Sequence, residues 1–202
     1  MLRWSQRNEH RPDPMTSSIA SRTAAHTTRR WTYADYCRIP ADGKRHEILD
    51  GRHFVNPAPS PYHQTVTSRL LCELMIRIEK TGRGRVFTSP IDVHLGPGSI
   101  VQPDVVALRL RNASIIGPKK LTGVPDLLIE VLSPSNRAYD RKRKRERYER
   151  AGVREFWLVD PETHGIEQLL LRKGRYGPPI ACSDSITLRV FRGITIDLRE
   201  VW

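Results

Sequence analysis

Two carboxylates stand inside runs of residues that otherwise predict buried β-strands. Glu130 lies in the apolar run 125–134, and Asp104 lies in a similar run, 101–108. Side chains alternate along a strand, and the neighbours that share a face with Glu130 are both leucines, so that face is not a wet one. A buried, unpaired carboxylate costs several kcal/mol. A cation, a metal ion or a shared proton is therefore expected beside each carboxylate.

These two carboxylates have the chemistry of a hard-cation site. Mg²⁺ (or Mn²⁺) prefers oxygen ligands and often takes only one or two carboxylates together with substrate phosphate. Asp104 and Glu130 meet that need if their strands are neighbours, and the backbone carbonyl of Val131 can supply a further oxygen. The alternative is a structural ion pair between Glu130 and an arginine.

A strongly basic segment, residues 138–151, predicts a helix that crosses over to the next strand. Its apolar positions, Tyr148 and Ala151, must face the sheet. Lys144 lies four residues before Tyr148, so it is predicted to point the same way and to reach the carboxylates. A lysine in that position can hold a water or an oxyanion beside a metal. Arg145 is the competing candidate on geometry.

The overall charge favours a polyanionic partner. The 202 residues include 34 Lys and Arg against 22 Asp and Glu, a net charge of +12, for which nucleic acid is the natural ligand. Phosphate contacts are expected from the basic helix, through Arg141, Lys142 and Arg145, and from the loop at 119–120. We expect neither membrane insertion, since no apolar run approaches about 20 residues, nor a small-molecule cofactor.

Cysteine usage and chain organisation are simple. The three cysteines are isolated, which supports neither a disulfide framework nor a zinc knuckle and fits a reducing cytoplasm. Residues 1–30 are predicted to be a disordered basic tail, and residues 31–202 a single domain. In that domain we predict a hairpin at Asp50-Gly51 and a helix from Ser60-Pro61 to Gly82, with one buried apolar stripe that includes Met75.

Further strands are predicted at seven places. They are residues 86–95, 100–108, 126–132, 155–159, 166–171, 186–190 and 194–198. The first two form an antiparallel pair, and residues 109–123 form a loop. The helix 138–151 joins two strands as a βαβ unit, so that part of the sheet is parallel. The last three strands are expected to complete the same sheet.

Several motifs together resemble the Uma-type restriction endonuclease family of the PD-(D/E)XK nuclease superfamily. They are Glu47-Ile48-Leu49-Asp50-Gly51, Pro59-Ser60-Pro61-Tyr62-His63, Gln102-Pro103-Asp104, and residues 126–134, 140–148 and 152–161. The resemblance implies a restriction-endonuclease-like α/β fold, in which a mixed β-sheet is flanked by α-helices. It also implies Mg²⁺-dependent cleavage of DNA by an endonuclease.

Carried over by position, the resemblance makes Asp104 the Asp of the PD pair and Glu130 the acidic residue of the second half-motif. The simple pattern would place lysine at position 132, but this chain has Leu132 there. The resemblance implies that the lysine has moved to Lys144 on the following helix. Glu47 matches a family acidic position that binds a metal or positions a water, and the alternative is an exposed strand-edge carboxylate.

Partners and rival functions stay open from the sequence. His63 lies in the first turn of a helix, where phosphate is attracted, so it is a candidate DNA contact; a structural role is the alternative. A homodimer is expected because cutting both strands of a duplex needs two active sites. The rival functions are a catalytically inactive nucleic-acid-binding protein on the same fold and a nuclease acting on RNA or branched DNA.

Overall fold

The computed structural model describes residues 29–133 and 140–202, which form a mixed α/β fold. Its strands are β1 (Arg45–Leu49), β2 (Arg52–Asn56), β3 (Gly84–Thr88), β4 (Val93–His94), β5 (Ile100–Val101), β6 (Val105–Arg109), β7 (Leu121–Thr122), β8 (Leu127–Val131), β9 (Glu155–Asp160), β10 (Gly165–Arg172), β11 (Arg175–Tyr176), β12 (Ile180–Cys182), β13 (Ser185–Thr187) and β14 (Thr195–Asp197). Its α-helices are α1 (Tyr33–Tyr36), α2 (Pro61–Leu74) and α3 (Arg145–Ala151). Met75–Glu79 and Asp140–Lys144 are π-helical, and Leu110–Ile115 and Leu198–Glu200 are 3₁₀-helical.

A central sheet carries the fold. Its strands run in the order β11-β10-β9-β8-β6-β3, with β12 also paired to β10. Strands β8 and β9 are parallel and the other pairs in this sheet are antiparallel, so the sheet is mixed. A second sheet has the order β2-β1-β5-β4-β7, and β13 pairs with β14 alone. The predicted mixed sheet with flanking helices is confirmed.

The core lies on both faces of the central sheet. On one face, helix α2 and the β13-β14 pair cover every second residue of β8, such as Leu127 and Ile129. On the other face, α3 and the second sheet cover Leu128 and Phe156. This alternation along β8 is the one predicted from the sequence, and it explains why the strand reads as a continuous apolar run.

The local signals at the hairpin and the helix starts are confirmed. Strands β1 and β2 pair across Asp50 and Gly51, whose φ angles of +52° and +78° are those of a two-residue turn that glycine and aspartate tolerate. Ser60 accepts a hydrogen bond from the backbone N–H of His63 and so caps α2, with Pro61 in its first position.

Two strand predictions were too long. Residues 86–95 divide into β3 and β4, and residues 100–108 divide into β5 and β6, with each half in a different sheet. Pro90 and Pro103 lie at the breaks, and proline cannot donate to a β-ladder. The halves pair in the predicted antiparallel sense. The predicted loop after residue 109 also contains the 3₁₀ helix and β7.

Three other details differ from the sequence predictions. Strands β13 and β14 form their own sheet and do not extend the central one. Met75 is 40% exposed, because nine residues after Val66 the helix has turned through about 180°. The predicted helix 138–151 is described from Asp140, and its first two positions lie outside the described residues, as does the tail 1–28. Among the described helices, none is long and apolar enough to cross a membrane.

Candidate active site

Strands β6 and β8 bring Asp104 and Glu130 together. Val105 pairs with Ile129 in the antiparallel register, so Asp104 and Glu130, one step further along, lie opposite each other. The Val131 N–H donates to Asp104 Oδ2 at 2.9 Å, which ties the carboxylate to the end of β8. Both carboxylates are buried. The condition that these strands be neighbours is therefore met.

Lys144 reaches both Glu130 and Glu47. Its Nζ lies 2.9 Å from Glu130 Oε1 and 3.2 Å from Glu47 Oε1, and its side chain is 3% exposed. The Tyr148 hydroxyl donates to the same Glu130 oxygen at 2.6 Å. The helical spacing therefore predicted the direction of Lys144 correctly. Arg145 is half-buried and makes no ion pair within the described part of the chain, so the structure favours Lys144 at Glu130.

Glu47 is fully buried, so the exposed strand-edge alternative is wrong. Its Oε1 accepts the Gln102 N–H at 2.7 Å and its Oε2 accepts Asn56 Nδ2 at 2.6 Å. Burial opposes ionisation of this carboxyl, but the Lys144 charge and these two hydrogen bonds outweigh burial and hold its pKa below the ordinary value. Glu47 is thus an ionised anchor for Lys144.

Arg45 is a site residue that the sequence reasoning missed. Its Nη1 lies 3.1 Å from Asp104 Oδ1, and its Nη2 donates to the Gln102 carbonyl. Burial alone would lower the pKa of Arg45, but the charges of Asp104, Glu130 and Glu47 raise it. A signal was available, because Arg45 and Glu47 are two residues apart on β1 and so share a face.

His63 lies inside the site and is buried. Its Nε2 is 2.9 Å from the Val131 carbonyl and 3.3 Å from Asp104 Oδ2, and the residue is 6% exposed. Because a carbonyl only accepts, Nε2 carries the proton. Burial disfavours the Asp104 carboxylate, but the His63 hydrogen bond and the Arg45 charge prevail and lower its pKa. A DNA contact by His63 stays a prediction.

Two of the predicted phosphate-binding residues of the basic helix, Lys142 and Arg145, do not join this cluster. Lys142 is exposed and Arg145 is half-buried. The side chain of Arg141 lies outside the described part of the structure. Contacts from these three residues to a nucleic acid stay predictions.

The donor set suits a hard cation, although protein donors occupy much of it in this conformation. The carboxylates of Asp104, Glu130 and Glu47 face two permanent cations, Arg45 and Lys144, which leaves one formal negative charge. Carboxylate and carbonyl oxygens are the ligands that Mg²⁺ prefers. Among the described residues, no three His, Cys, Asp or Glu side chains converge in metal-binding geometry. A metal would therefore have to exchange with some of these donors.

Comparison with known proteins finds the fold of this chain in a solved structure. The chain is similar to a crystal structure described as "a putative nuclease belonging to DUF820" from Anabaena variabilis ATCC 29413. The TM-score is 0.72 at 15% sequence identity, over 85% of this chain and 97% of that chain, which shows the fold. No curated protein matches this chain.

The sequence model of the Uma2 family, described as "Putative restriction endonuclease", matches residues 33–199. Since that match covers most of the chain, the chain belongs to the Uma2 family. The resemblance inferred from the sequence motifs is confirmed. Family and fold together support a nuclease.

Proposed function

We propose that this chain is a Mg²⁺-dependent endonuclease that hydrolyses phosphodiester bonds in DNA. The observation that carries the proposal is the position of Lys144. Its ammonium contacts Glu130 and Glu47 near the end of β8, where the Val131 N–H also donates to Asp104. Two carboxylates on adjacent strands with a buried lysine beside them supply a hard-cation site and a donor to a reacting oxygen.

Asp104, Glu130 and the Val131 carbonyl would hold the Mg²⁺ or Mn²⁺ ion. The residual negative charge of the cluster supports the binding of such a cation. When bound, the ion polarises the scissile phosphate and lowers the pKa of a water.

The chain's own residues would do the positioning. Lys144 would donate hydrogen bonds to the attacking water and to the charge that develops on the phosphate. Glu47 also contacts the Lys144 ammonium, and Tyr148 fixes one oxygen of Glu130. Arg45 would keep Asp104 ionised by its charge.

The basic surface would hold the nucleic acid. Arg141 and Lys142 precede Lys144 in the chain and Arg145 follows it, so phosphates bound by them would lie beside the site. A homodimer would supply the second active site that a double-strand cut requires. The three free cysteines support a reducing compartment, the cytoplasm.

A second candidate function is nucleic-acid binding without catalysis. The observation that favours it is that protein donors already contact both Asp104 and Glu130. Asp104 accepts from Arg45, His63 and Val131, and Glu130 accepts from Lys144 and Tyr148. An inactive descendant of a nuclease could close its site with such contacts. A nuclease acting on RNA or branched DNA would use the same residues on another substrate.

The test is cleavage of supercoiled plasmid by the purified chain with Mg²⁺, with Mn²⁺ and with a chelator. Linear RNA and a branched DNA junction are assayed in parallel. We expect plasmid nicking only with added metal. The Lys144→Ala variant should lose about 100- to 1,000-fold in rate, as expected for removal of a donor to a developing charge.

Lys80→Ala is the matched control, because Lys80 is exposed and lies on the helix-α2 side of the molecule. It should cut at the wild-type rate. Binding of all substrates without turnover under either metal would favour the non-catalytic candidate. Cutting of RNA alone, or of the junction alone, would identify that nucleic acid and not duplex DNA as the substrate. Full activity of Lys144→Ala would exclude Lys144 from catalysis.

A further inference from the structure

Six arginines surround one recess of about 630 Å³ at the edge of the central sheet far from the candidate active site. They are Arg83, Arg109, Arg111, Arg154, Arg189 and Arg192. Arg109 ends β6, whereas Asp104 precedes its first residue, so the two lie about 17 Å apart at the rise of a β-strand. Arg154 precedes β9 at the same edge as Arg109. We call this set the arginine surface.

Most of this positive charge is uncompensated. Arg109 is paired with Asp126, to which its Nε donates at 2.7 Å. The other five arginines of the set, Arg83, Arg111, Arg154, Arg189 and Arg192, are exposed and make no ion pair within the described residues, and no acidic side chain lines the recess. Like charges held close together raise the local potential, and a bound polyanion would relieve that repulsion.

The loop that carries two of these arginines is held in place from beneath. Glu155 is fully buried, and its Oε2 accepts the N–H groups of Arg189 and Val190, each at 2.8 Å. Arg83 donates from its guanidinium to the Arg192 carbonyl. The backbone is therefore fixed where the guanidinium groups emerge, which lowers the ordering cost of binding.

The positive surface is elongated. A neighbouring recess shares Arg154 and Arg189 with the first and adds Arg172 and Lys173, again without an acidic residue in its lining. A single compact phosphate would engage one of the two recesses. A continuous backbone with regularly spaced phosphates would engage both, and arginine favours such contacts by its planar, bidentate geometry.

We propose that the arginine surface binds a second segment of nucleic-acid backbone, separate from the segment at the candidate active site. The choice of nucleic acid as the polyanion rests on the proposed function. Binding at this surface does not depend on catalysis, because Asp104 and Glu130 lie at the opposite edge of the sheet. The chain would then hold two nucleic-acid segments at once.

The test compares the full chain with its Arg154→Gln/Arg189→Gln variant in chelator, so that nothing is cut. Duplex affinity is measured by fluorescence anisotropy over a series of salt concentrations. Each phosphate contact contributes about 0.9 to the slope of log K against log salt, so the slope should fall by about 1.8. An immobilised duplex should retain a second, labelled duplex through the wild-type chain and lose it through the variant.

Two further variants separate binding from folding and from overall charge. Arg154→Lys/Arg189→Lys keeps the charge and should restore most of the slope. Arg38→Gln/Arg199→Gln removes the same charge from side chains that are 74% and 79% exposed elsewhere, and it should leave the slope unchanged. An unchanged slope in Arg154→Gln/Arg189→Gln overturns the proposal. So does inorganic pyrophosphate that binds the surface as tightly as the duplex.

These outcomes are independent of the proposed function. A chain that cuts no substrate can still lose slope and duplex bridging in the Arg154→Gln/Arg189→Gln variant, which would support the surface alone. A chain that cuts plasmid normally but shows no change in that variant would keep the nuclease and lose the surface. If bridging persists in the variant, it runs through the two active sites of a homodimer, and the change in slope alone then decides whether the arginine surface binds.

Discussion

Glu130 and Glu155 are buried carboxylates on neighbouring parallel strands, and they are stabilised in different ways. Glu155 accepts four hydrogen bonds from neutral donors: Trp157 Nε1 at 2.8 Å, Gln168 Nε2 at 2.6 Å, and the N–H groups of Arg189 and Val190 at 2.8 Å each. Glu130 instead meets the ammonium of Lys144 and the hydroxyl of Tyr148.

The difference indicates which carboxylate can do chemistry. Four neutral donors from three separate segments saturate Glu155 and fix the loop between β13 and β14 to the central sheet. Any exchange of these partners would break the packing. Glu130 instead shares the ammonium of Lys144 with Glu47, which lies 3.2 Å from the same Nζ. A metal can replace a lysine contact without leaving buried donors unpaired.

The largest expected effect concerns Glu155. Glu155→Ala leaves several buried donors without an acceptor, and the free energy of unfolding should fall by about 3 kcal/mol or more. Urea unfolding measures this free energy, with Glu200→Ala at an exposed position as the control for a lost glutamate. If Glu155→Ala were as stable as the control, Glu155 would not fix that loop to the central sheet.

Tyr148→Phe tests how far the position of Glu130 depends on the tyrosine hydroxyl. Loss of a hydrogen bond to a charged acceptor should lower the free energy of unfolding by about 1.5 kcal/mol. Plasmid cleavage should slow by about tenfold as Glu130 loses orientation. Tyr62→Phe, which alters an exposed hydroxyl, should leave the rate unchanged. Equal rates in both variants would contradict a positioning role for Tyr148.

Arg45→Met tests the competition between protein cations and a metal. Arg45 and a bound metal compete for the Asp104 carboxylate. Removing the guanidinium should therefore tighten Mg²⁺ binding by about fivefold, on the order of 1 kcal/mol. Isothermal titration with Mg²⁺ measures the affinity, and Arg38→Met is the control. Weaker Mg²⁺ binding in Arg45→Met would indicate that Arg45 supports the site in some other way.

The smallest effect is on acid stability. The pKa of Glu47 is lowered in the folded chain, so the unfolded chain takes up a proton first as the pH falls. The stabilisation is complete above the ordinary pKa of 4.5 and is lost as the pH drops through the lower folded value. The free energy of unfolding, measured from neutral pH to pH 3, should depend less steeply on pH for Glu47→Gln than for wild type. Glu73→Gln, a surface ion-pair variant, should keep the wild-type slope.

Much of the candidate site could be predicted because it depends on short-range spacing. The apolar run around Glu130 predicted its burial, and the distance of four residues from Tyr148 to Lys144 predicted the direction of the lysine. The fold followed from the hairpin, the helix start and the βαβ unit, each of which is a local signal confirmed by the structure.

The parts that the sequence did not predict depend on contacts between distant segments. Arg45 reaches Asp104 from another sheet, and His63 reaches Val131 from a helix on the other side of the strand. Strand spacing could show that Arg45 and Glu47 share a face, but not which strand lies beside that face. The division of two predicted strands at Pro90 and Pro103 has the same origin, because the choice between two sheets is made by tertiary packing.

The most direct test of the account measures Glu130→Gln and Glu155→Gln side by side, for plasmid cleavage with Mg²⁺ and for urea unfolding. Both changes remove one charge and keep the size of the side chain. We predict that Glu130→Gln stops cleavage while the folded state remains stable, and that Glu155→Gln loses stability but cuts at the wild-type rate below its unfolding transition. Wild-type cleavage by Glu130→Gln would contradict this prediction.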